Sequence, residues 1–519
     1  MKNPNPNRNL TIREAAEQLH VASVTIHNWI KEGLLEMDED KKVTSQSIRR
    51  FRLRYAGKSR LRSRANKSQK DSFDAAEASR WLRSELETDP EGEALSRSYE
   101  MLLAESFKNR EGIFYTPLSI VEDMLKGLEI NERTLFLDPC CGSGNFLVKA
   151  IEHGVLPQNV YGFDTDPNAV EIARHRIKQL TGRDALHLVC GDFLQECQHL
   201  EVRFDLVFTN PPWGKKISKK ERDFYVSRFH CGSSDTCSLF LFAILQVLRP
   251  EGLAGLLMPE SFFNIAAFED ARRAVLQQTL LKMKDYGKPF KNTYSACSLV
   301  FRHHPSEGSG LVECVKEQQS YLRSHQSFEA MPKHILNYWT TDREMVYLEQ
   351  LLRQPYLTLK GYATWGMGIV TGNNTKICKH SRRTGWKPIF RGKDVLPEGL
   401  KHSGLYINPE DFPRCQQVPS LELLQSPEKL IYRFISKRLV FFCDTKQRYI
   451  LNSANLLVLD DGFPLTSNQL AELMNSPLTN WLFQQIFHTH KVLRGDLELL
   501  PIFTDSALHR RFDLLDFNG

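Results

Sequence analysis

The spacing of hydrophobic residues changes several times along the chain, and each change indicates a different kind of element. Ala75 to Lys108 has apolar residues at helical spacing, and from there to about residue 303 short apolar runs alternate with further helical segments. Strands that alternate with helices are typical of a parallel sheet covered on both faces. The sequence therefore predicts an α/β core built on a doubly wound, Rossmann-like sheet.

The two ends of the chain follow other patterns. Thr11 with Glu14 predicts a capping box for a helix through Leu19, and a second short helix is expected from Val24 to Glu32. The last third, from about residue 340, has short irregular strands and turns, which indicates a mixed α+β domain. We therefore expect a helix-turn-helix module, a flexible basic linker, a core domain and a C-terminal domain, at residues 1–54, 55–72, 73–310 and 311–519.

Positive charge is concentrated at the amino end. Residues 1–70 hold 16 Lys and Arg against 7 Asp and Glu, a local charge of +9 in a chain whose net charge is +6. A positive surface attracts phosphate backbones because binding releases condensed counterions. Thr11 to Leu35 resembles the MerR and excisionase-type winged helix-turn-helix, whose second helix enters the major groove. The outward candidates for DNA contact are then Thr25, His27, Asn28 and Lys31, with a protein-docking module or a solvated tail as alternatives.

Composition narrows the class of protein. No run of 18 apolar residues occurs, and the first ten residues lack the apolar core of a secretion signal, so we expect a cytoplasmic protein. The 11 cysteines are scattered, without a Cys-x-x-Cys pair, which argues against a disulfide framework and against a zinc site. We expect no bound metal.

The first chemical signal lies at the ends of three successive predicted strands. Asp138 follows the apolar run Leu135 to Leu137 and can accept hydrogen bonds from an ammonium group. In the turn that follows, Gly142 and Gly144 let the backbone approach a ligand closely, because they have no side chain in the way.

Two further acids extend this pattern. Asp164 ends the second strand, where an acid can grip both hydroxyls of a ribose. Asp192 ends the third strand and can accept the amino group of an adenine, with Phe193 beside the ring. Asp166 instead caps the next helix. No phosphate is needed by this set, which fits an adenosine that carries a sulfonium better than it fits NAD.

A fourth strand, Phe204 to Thr209, leads into Asn210-Pro211-Pro212-Trp213. The amino nitrogen of adenine is a poor nucleophile because its lone pair is delocalised into the ring. The side-chain oxygen of Asn210 and the carbonyl of Pro211 can hold both amino hydrogens, and the two prolines preorganise these acceptors. Trp213 offers a face for a planar base. Since Asn210 does not titrate, we expect the proton to leave to solvent.

These motifs resemble the amino-methylating DNA methyltransferases, in the order of the gamma class typified by TaqI. Trp213 stands where the family commonly has Tyr or Phe. The resemblance implies that S-adenosyl-L-methionine is the cofactor, that Phe240 touches its adenine, and that Phe290 stacks on an extruded target base, with Phe262 and Phe263 as rivals. The implied cofactor set is Phe114, Tyr115, Thr116, Asp138, Cys140, Gly142, Gly144, Asp164, Asp192, Phe193, Asn210 and Phe240.

The C-terminal region resembles the TaqI-type target-recognition domain. The matching segments are 365–374, 390–394, 431–433 and 473–476. A target adenine inside a duplex must rotate out before it can react, so a second surface has to choose the sequence. The candidate phosphate or guanine contacts are Arg391, Lys393, Arg433, Lys437 and Arg438.

The sequence thus predicts a site-specific adenine-N6 methyltransferase of double-stranded DNA, associated with a bacterial nucleoid. It could act alone or as the modification half of a system with a separate restriction endonuclease. Two alternatives stay open. One is methylation of RNA or of a protein glutamine amide, since the Asn-Pro-Pro-aromatic loop suits any planar amide or amino group. The other is a DNA-binding regulator with a vestigial methyltransferase core.

Overall fold

The computed structural model describes residues 9–19, 26–27, 29–30, 35–38, 42–45, 47–48, 75–103, 115–215, 217–290 and 295–515. The predicted linker at 55–72 lies outside these ranges. So do four residues with predicted roles: Thr25, Asn28, Lys31 and Phe114.

The core domain is built on a sheet of nine strands in the order β3-β2-β1-β4-β5-β7-β6-β8-β9. The five strands from β3 to β5 are parallel, and β7 runs antiparallel between β5 and β6. This confirms the predicted α/β core with a mostly parallel sheet. The strands are β1 Phe136–Asp138, β2 Val160–Asp164, β3 His187–Cys190, β4 Phe204–Thr209, β5 Leu248–Pro259, β6 Gln278–Asp285, β7 Ala296–Pro305, β8 Leu311–Lys316 and β9 Gln319–Ser324.

Helices cover the sheet and build much of the C-terminal domain. The described α-helices are α1 Ile12–Leu19, α2 Ala75–Leu86, α3 Gly92–Leu102, α4 Leu118–Leu125, α5 Asn145–Glu152, α6 Pro167–Thr181, α7 Phe193–Glu196, α8 Lys219–Phe229, α9 Thr236–Val247, α10 Glu260–Asn264, α11 Glu269–Leu276, α12 His325–Glu329, α13 Asp342–Leu352, α14 Asn374–Ile377, α15 Leu421–Leu424, α16 Ser467–Asn475, α17 Pro477–Phe487, α18 Arg494–Leu497 and α19 Ser506–Asp513. Among them, none is both long and apolar enough to cross a bilayer.

Helix α6 shows how local sequence sets the ends of these elements. Asp166 accepts a hydrogen bond from the backbone N–H of Asn168 at 3.0 Å, and Pro167 occupies the first helical position. Gly182 ends the helix with a φ of +67°, a value that a residue without a Cβ adopts freely. The predicted cap at Asp166 is confirmed.

The predicted domain boundary at residue 310 is wrong. Strand β8 pairs in parallel with β6, and β9 adds a further antiparallel strand, so the core sheet continues to Ser324. The two strands are joined by Glu317 and Gln318, both with positive φ. Hairpin turns of this kind usually carry Asn or Gly, and their absence here removed the signal that would have predicted the hairpin.

At the amino end, the predicted capping box is confirmed: Thr11 N–H donates to Glu14 at 2.8 Å, and Glu14 N–H donates back to the Thr11 hydroxyl at 3.2 Å. The described part of the module has its own small core, which includes Ile26 and Trp29. His27 is exposed.

The C-terminal domain holds three small sheets in the orders β10-β18-β15-β16, β14-β11-β17 and β12-β13. Their strands are β10 Ala363–Met367, β11 Lys387–Phe390, β12 Val395–Leu396, β13 Gly399–Leu400, β14 Tyr406–Ile407, β15 Lys429–Arg433, β16 Phe441–Asp444, β17 Tyr449–Ile450 and β18 Ala454–Leu459.

The two domains meet at the carboxyl end of α17. The side chain of Asn264, at the end of α10, donates to the carbonyl of Phe487 at 3.0 Å. Asn337 and Trp339 both donate to the carbonyl of Gln485, at 2.8 and 3.0 Å. The last carbonyls of a helix lack partners within the helix, so these bonds satisfy groups that would otherwise be buried without partners. The contact fixes the C-terminal domain against the core.

Candidate cofactor and catalytic site

Asp138 lies at the carboxyl end of β1, between the ends of β2 and β4, and is only 1% exposed. Its Oδ1 accepts hydrogen bonds from the Thr209 hydroxyl at 2.6 Å and from the backbone N–H of Cys140 at 3.1 Å. Burial raises the pKa of Asp138 to about 7, although both hydrogen bonds favour the charged form. A buried carboxylate of this kind is stabilised by a cationic ligand.

Two glycines shape the turn after β1. Gly142 and Gly144 have φ values of +50° and +89°, in the region that favours glycine. A Cβ on Gly144 would lie 3.0 Å from the Cβ of Ala173, so the residue also permits close packing of α6. The ring of Tyr115 lies beside Gly142, whose added Cβ would be 3.7 Å from Tyr115 Cε1. Cys140 is half-buried in the same turn.

Asp164 fastens this turn to the end of β2. One carboxylate oxygen accepts from Gly142 N–H and the other from Asp166 N–H, each at 2.9 Å. Burial raises the pKa of Asp164 to about 6. Because each carboxylate oxygen has a second lone pair, the group can still receive two hydroxyl hydrogens, as predicted for a ribose. The sequence did not indicate its additional role in folding the turn.

Asp192 caps α7 through the N–H of Leu194, at 3.0 Å. Phe193 is 1% exposed and stacks on Phe240, with ring centroids 6.0 Å apart and an interplanar angle of 22°. The structure therefore brings together the acid and the two aromatic residues that were predicted to surround the cofactor adenine. Three strand ends thus supply carboxylates, and no group of three or more His, Cys, Asp or Glu among the described residues could hold a metal ion.

The loop after β4 is anchored on both sides. Thr236, at the start of α9, donates its hydroxyl to the carbonyl of Pro212 at 2.7 Å. The indole N–H of Trp213 donates to the carbonyl of Leu257 in β5 at 3.2 Å, which leaves the ring 7% exposed. Asn210 is half-buried at the strand end, next to Thr209, which contacts Asp138. The predicted catalytic amide thus lies one residue from a side chain that is hydrogen-bonded to the predicted cofactor acid.

Phe290, which was predicted to stack on the opposite face of the target base, lies next to Trp213. The rings of Trp213 and Phe290 meet edge to face, 5.4 Å apart and at 77°. The rival residues Phe262 and Phe263 are fully buried in the core, and neither is accessible to a base.

The sequence predicted helical structure from Ala75 to Lys108, but it did not indicate that α3 supports the cofactor turn. In α3, the hydroxyl of Ser96 forms a buried hydrogen bond with the hydroxyl of Ser143 in the turn, at 2.6 Å. Tyr99, also in α3, donates to Asp166 at 2.6 Å. Arg176, in α6, donates to the carbonyl of Ser143 at 2.7 Å. These partners lie between 33 and 67 residues apart along the chain, so no local pattern could indicate them.

The candidate DNA contacts of the C-terminal domain divide into two groups. The guanidinium of Arg391 donates to Asp394 at 2.8 Å and to the Ser403 carbonyl at 3.0 Å, so it helps to fold this loop. The acid three residues later is the overlooked signal for this structural role, and the predicted contact of Arg391 with DNA stays a prediction. Arg433 donates to the Val395 carbonyl at 2.9 Å and is half-buried. The side chains of Lys393, Lys437 and Arg438 are exposed.

Comparison with known proteins agrees with this geometry. Residues 91–318 match the model of the N-6 DNA methylase family, and residues 387–502 match that of the TaqI-like C-terminal specificity domain. The chain is 38% identical over 397 residues to the type II methyltransferase M.VspI of Vibrio sp. (strain 343), a match that covers 75% of this chain and 97% of that protein. It is 24% identical over 220 residues to the modification methylase CviBIII of Paramecium bursaria Chlorella virus NC1A, across 41% and 55% of the two chains.

Among solved structures, the chain is similar to the DrdV–DNA complex, with a TM-score of 0.53, 12% identity, and coverage of 97% of this chain and 63% of that one. The type IIL restriction-modification enzyme MmeI, solved in complex with DNA, gives a TM-score of 0.52 at 10% identity, across 80% and 72% of the two chains. At such low sequence identity, these two structural similarities show a shared fold alone.

Proposed function

Because the chain belongs to the N-6 adenine DNA methyltransferases, which use S-adenosylmethionine, we propose that it methylates the N6 of one adenine within a specific sequence of duplex DNA. One observation carries the proposal. Asp138 ends β1 and Asn210 directly follows β4, the parallel strand beside it, and the hydroxyl of Thr209, the residue before Asn210, donates to Asp138. The proposed cofactor acid and the proposed catalytic amide therefore lie at neighbouring strand ends.

The residues present fit the cofactor. Gly142 and Gly144 give the turn its positive φ values, and the acids at the strand ends complement a positive charge rather than a phosphate. Asp138 would hold the ammonium, Asp164 the ribose, and Asp192 with Phe193 and Phe240 the adenine. Tyr115, Thr116 and Phe114 would close over the methionine end. S-adenosylmethionine supplies a methyl group activated by its sulfonium.

At the catalytic loop, Asn210 Oδ1 and the Pro211 carbonyl accept the two amino hydrogens of the target adenine and draw its nitrogen out of conjugation. The hydrogen bond from Thr236 to Pro212 keeps these acceptors in place before the base arrives. Extrusion of the base costs a few kcal/mol, and stacking on Trp213 and Phe290, whose rings would have to separate from their edge-to-face contact to admit the base, would return about 1–3 kcal/mol.

Recognition of the sequence would fall to the C-terminal domain, through Lys393, Arg433, Lys437 and Arg438. The amino-terminal module would act as a MerR-type helix-turn-helix that adds phosphate contacts through His27 and the neighbouring Thr25, Asn28 and Lys31. Such an enzyme would work on nucleoid DNA, alone or beside a separate restriction endonuclease.

The product identifies the substrate. Purified protein is incubated with S-adenosylmethionine labelled in the methyl group and with plasmid DNA, RNA or protein extract, and the acceptor is then digested and separated. We expect the label in N6-methyldeoxyadenosine. Label confined to RNA, to glutamine or to cytosine would overturn the proposal.

A further inference from the structure

Helix α8 connects the catalytic loop with the wall of the cofactor pocket. It begins at Lys219, six residues after Trp213, with a capping box in which Ser218 and Glu221 exchange hydrogen bonds. About two turns later, Tyr225 and Arg228 contact α7, the short helix that carries Phe193. None of the proposed cofactor-binding residues lies on α8.

The contact between α8 and the pocket wall centres on Tyr225. Its hydroxyl donates to Asp192 Oδ2 at 3.0 Å, while Asp192 Oδ1 receives the N–H of Leu194, also at 3.0 Å. Oδ2 also receives a longer contact from the side-chain amide of Gln195 at 3.4 Å, so the lone pair that stays free for a ligand is on Oδ1. Two donors on opposite oxygens fix the rotation of a carboxylate about both of its side-chain bonds.

Tyr225 is itself held rigidly. It is 3% exposed and stacks on Phe229, with ring centroids 6.2 Å apart at 14°. Burial and the nearby charge of Asp192 raise the pKa of Tyr225 to about 12, so the phenol stays protonated and remains a donor at any working pH. A second contact, a hydrogen bond from Arg228 to the Leu194 carbonyl at 2.8 Å, also joins α8 to α7.

We propose that Tyr225 is a positioning residue that aims the Asp192 carboxylate at the 6-amino group of the cofactor adenine. It touches no reacting atom and acts through Asp192. The inference rests on the proposed function only in taking Asp192 as the acid that accepts a hydrogen bond from that amino group. Tyr225 then sets how strongly the pocket prefers adenine to a purine that lacks the amino group.

The test compares two ligands on the full-length protein by calorimetry: S-adenosylhomocysteine, and its analogue in which the purine has hydrogen in place of the 6-amino group. One hydrogen bond is worth about 0.5–1.5 kcal/mol, so we expect Tyr225→Phe to weaken binding of S-adenosylhomocysteine by about 3- to 10-fold. Binding of the analogue should not change. Tyr286→Phe is the matched control, because it removes a similar bond from a buried tyrosine to Asp123 elsewhere.

A second variant separates the inference from its premise. Asp192→Ser keeps a side chain that can cap α7 but is too short to reach the amino group. We expect it to lose the preference for S-adenosylhomocysteine, and we expect Tyr225→Phe to add nothing in that background. If Asp192→Ser keeps the preference, the adenine assignment of the proposed site is wrong, and the inference with it. If only Tyr225→Phe keeps the preference, or if it weakens both ligands equally, the inference alone is wrong.

Discussion

The core domain and the C-terminal domain place their functional groups in different ways. In the core, Asp138, Asp164 and Asn210 all follow parallel strands, so their order along the chain already brings them to one edge of the sheet. In the C-terminal domain, β10 pairs with β18, which joins Ala363 to Leu459, a residue 96 positions later in the chain. Functional residues at the ends of successive parallel strands can be predicted from local sequence. Functional residues that are positioned by pairing between strands far apart in the chain cannot.

The largest effect should come from the catalytic loop of the core. Asn210→Ala removes one of two acceptors for the amino hydrogens, and the loss of one preorganised hydrogen-bonding group at a reacting centre costs about 10²–10³-fold in kcat. Single-turnover methylation at saturating DNA measures this, and calorimetry should show cofactor affinity within a few fold of wild type. Retained methyl transfer would remove Asn210 from the mechanism.

The cofactor acids predict a pH dependence with a definite sign. Burial raises the pKa values of Asp138 and Asp164 to about 7 and about 6, and a cationic ligand favours their charged forms. Affinity for S-adenosylmethionine should therefore rise with pH, by up to about tenfold per unit for each acid below its pKa, and level off above about pH 7. Calorimetry from pH 5.5 to 8 tests this, and Asp138→Asn should flatten the curve. Affinity that falls over this range would contradict the assignment.

Without ligand, the same burial works in the opposite direction on stability. Both folded pKa values lie above the ordinary value of 3.8, so the folded protein binds more protons than the unfolded chain between these values. The contribution of these acids to stability is complete at low pH and is lost as the pH rises through their folded pKa values.

A moderate effect is expected from the loss of the hydrogen bond between Thr236 and the catalytic loop. Thr236→Val removes the hydrogen bond to the Pro212 carbonyl, which is worth about 0.5–1.5 kcal/mol, so kcat should fall by about 3- to 10-fold. Thr236→Ser keeps the hydroxyl and should restore most of the rate. Equal rates in the valine and serine variants would show that the loop does not depend on this bond.

The same contrast explains which parts of the molecule the sequence predicted. The strand ends and the cap at Asp166 follow from short motifs, and the family resemblance indicated that Phe240 lies in the same region as Phe193. The support of the turn by Ser96 and Tyr99, and the hairpin of β8 and β9, depend on residues that give no local signal. In the C-terminal domain, the charged residues are visible in the sequence, but only the fold showed that Arg391 is held by Asp394.

The smallest effect should come from the exposed charges of the C-terminal domain. Replacing Lys437 and Arg438 with Gln removes two exposed cations, so the slope of log affinity against log salt should become shallower by about 0.9 for each lost phosphate contact. Fluorescence anisotropy with a duplex across a salt series measures this. Arg510→Gln with Arg511→Gln, in α19, removes the same charge elsewhere and should leave the slope unchanged. Identical slopes for both pairs would place the DNA on another face.

The central claim is that Asn210 and Pro211 hold both amino hydrogens of an extruded adenine beside the bound cofactor. A structure of the protein with duplex DNA and an unreactive cofactor analogue measures this most directly. We expect the target N6 within about 2.7–3.2 Å of both Asn210 Oδ1 and the Pro211 carbonyl oxygen. A target adenine that remains stacked in the duplex, or an N6 that lies beyond hydrogen-bond distance of both oxygens, would contradict the claim.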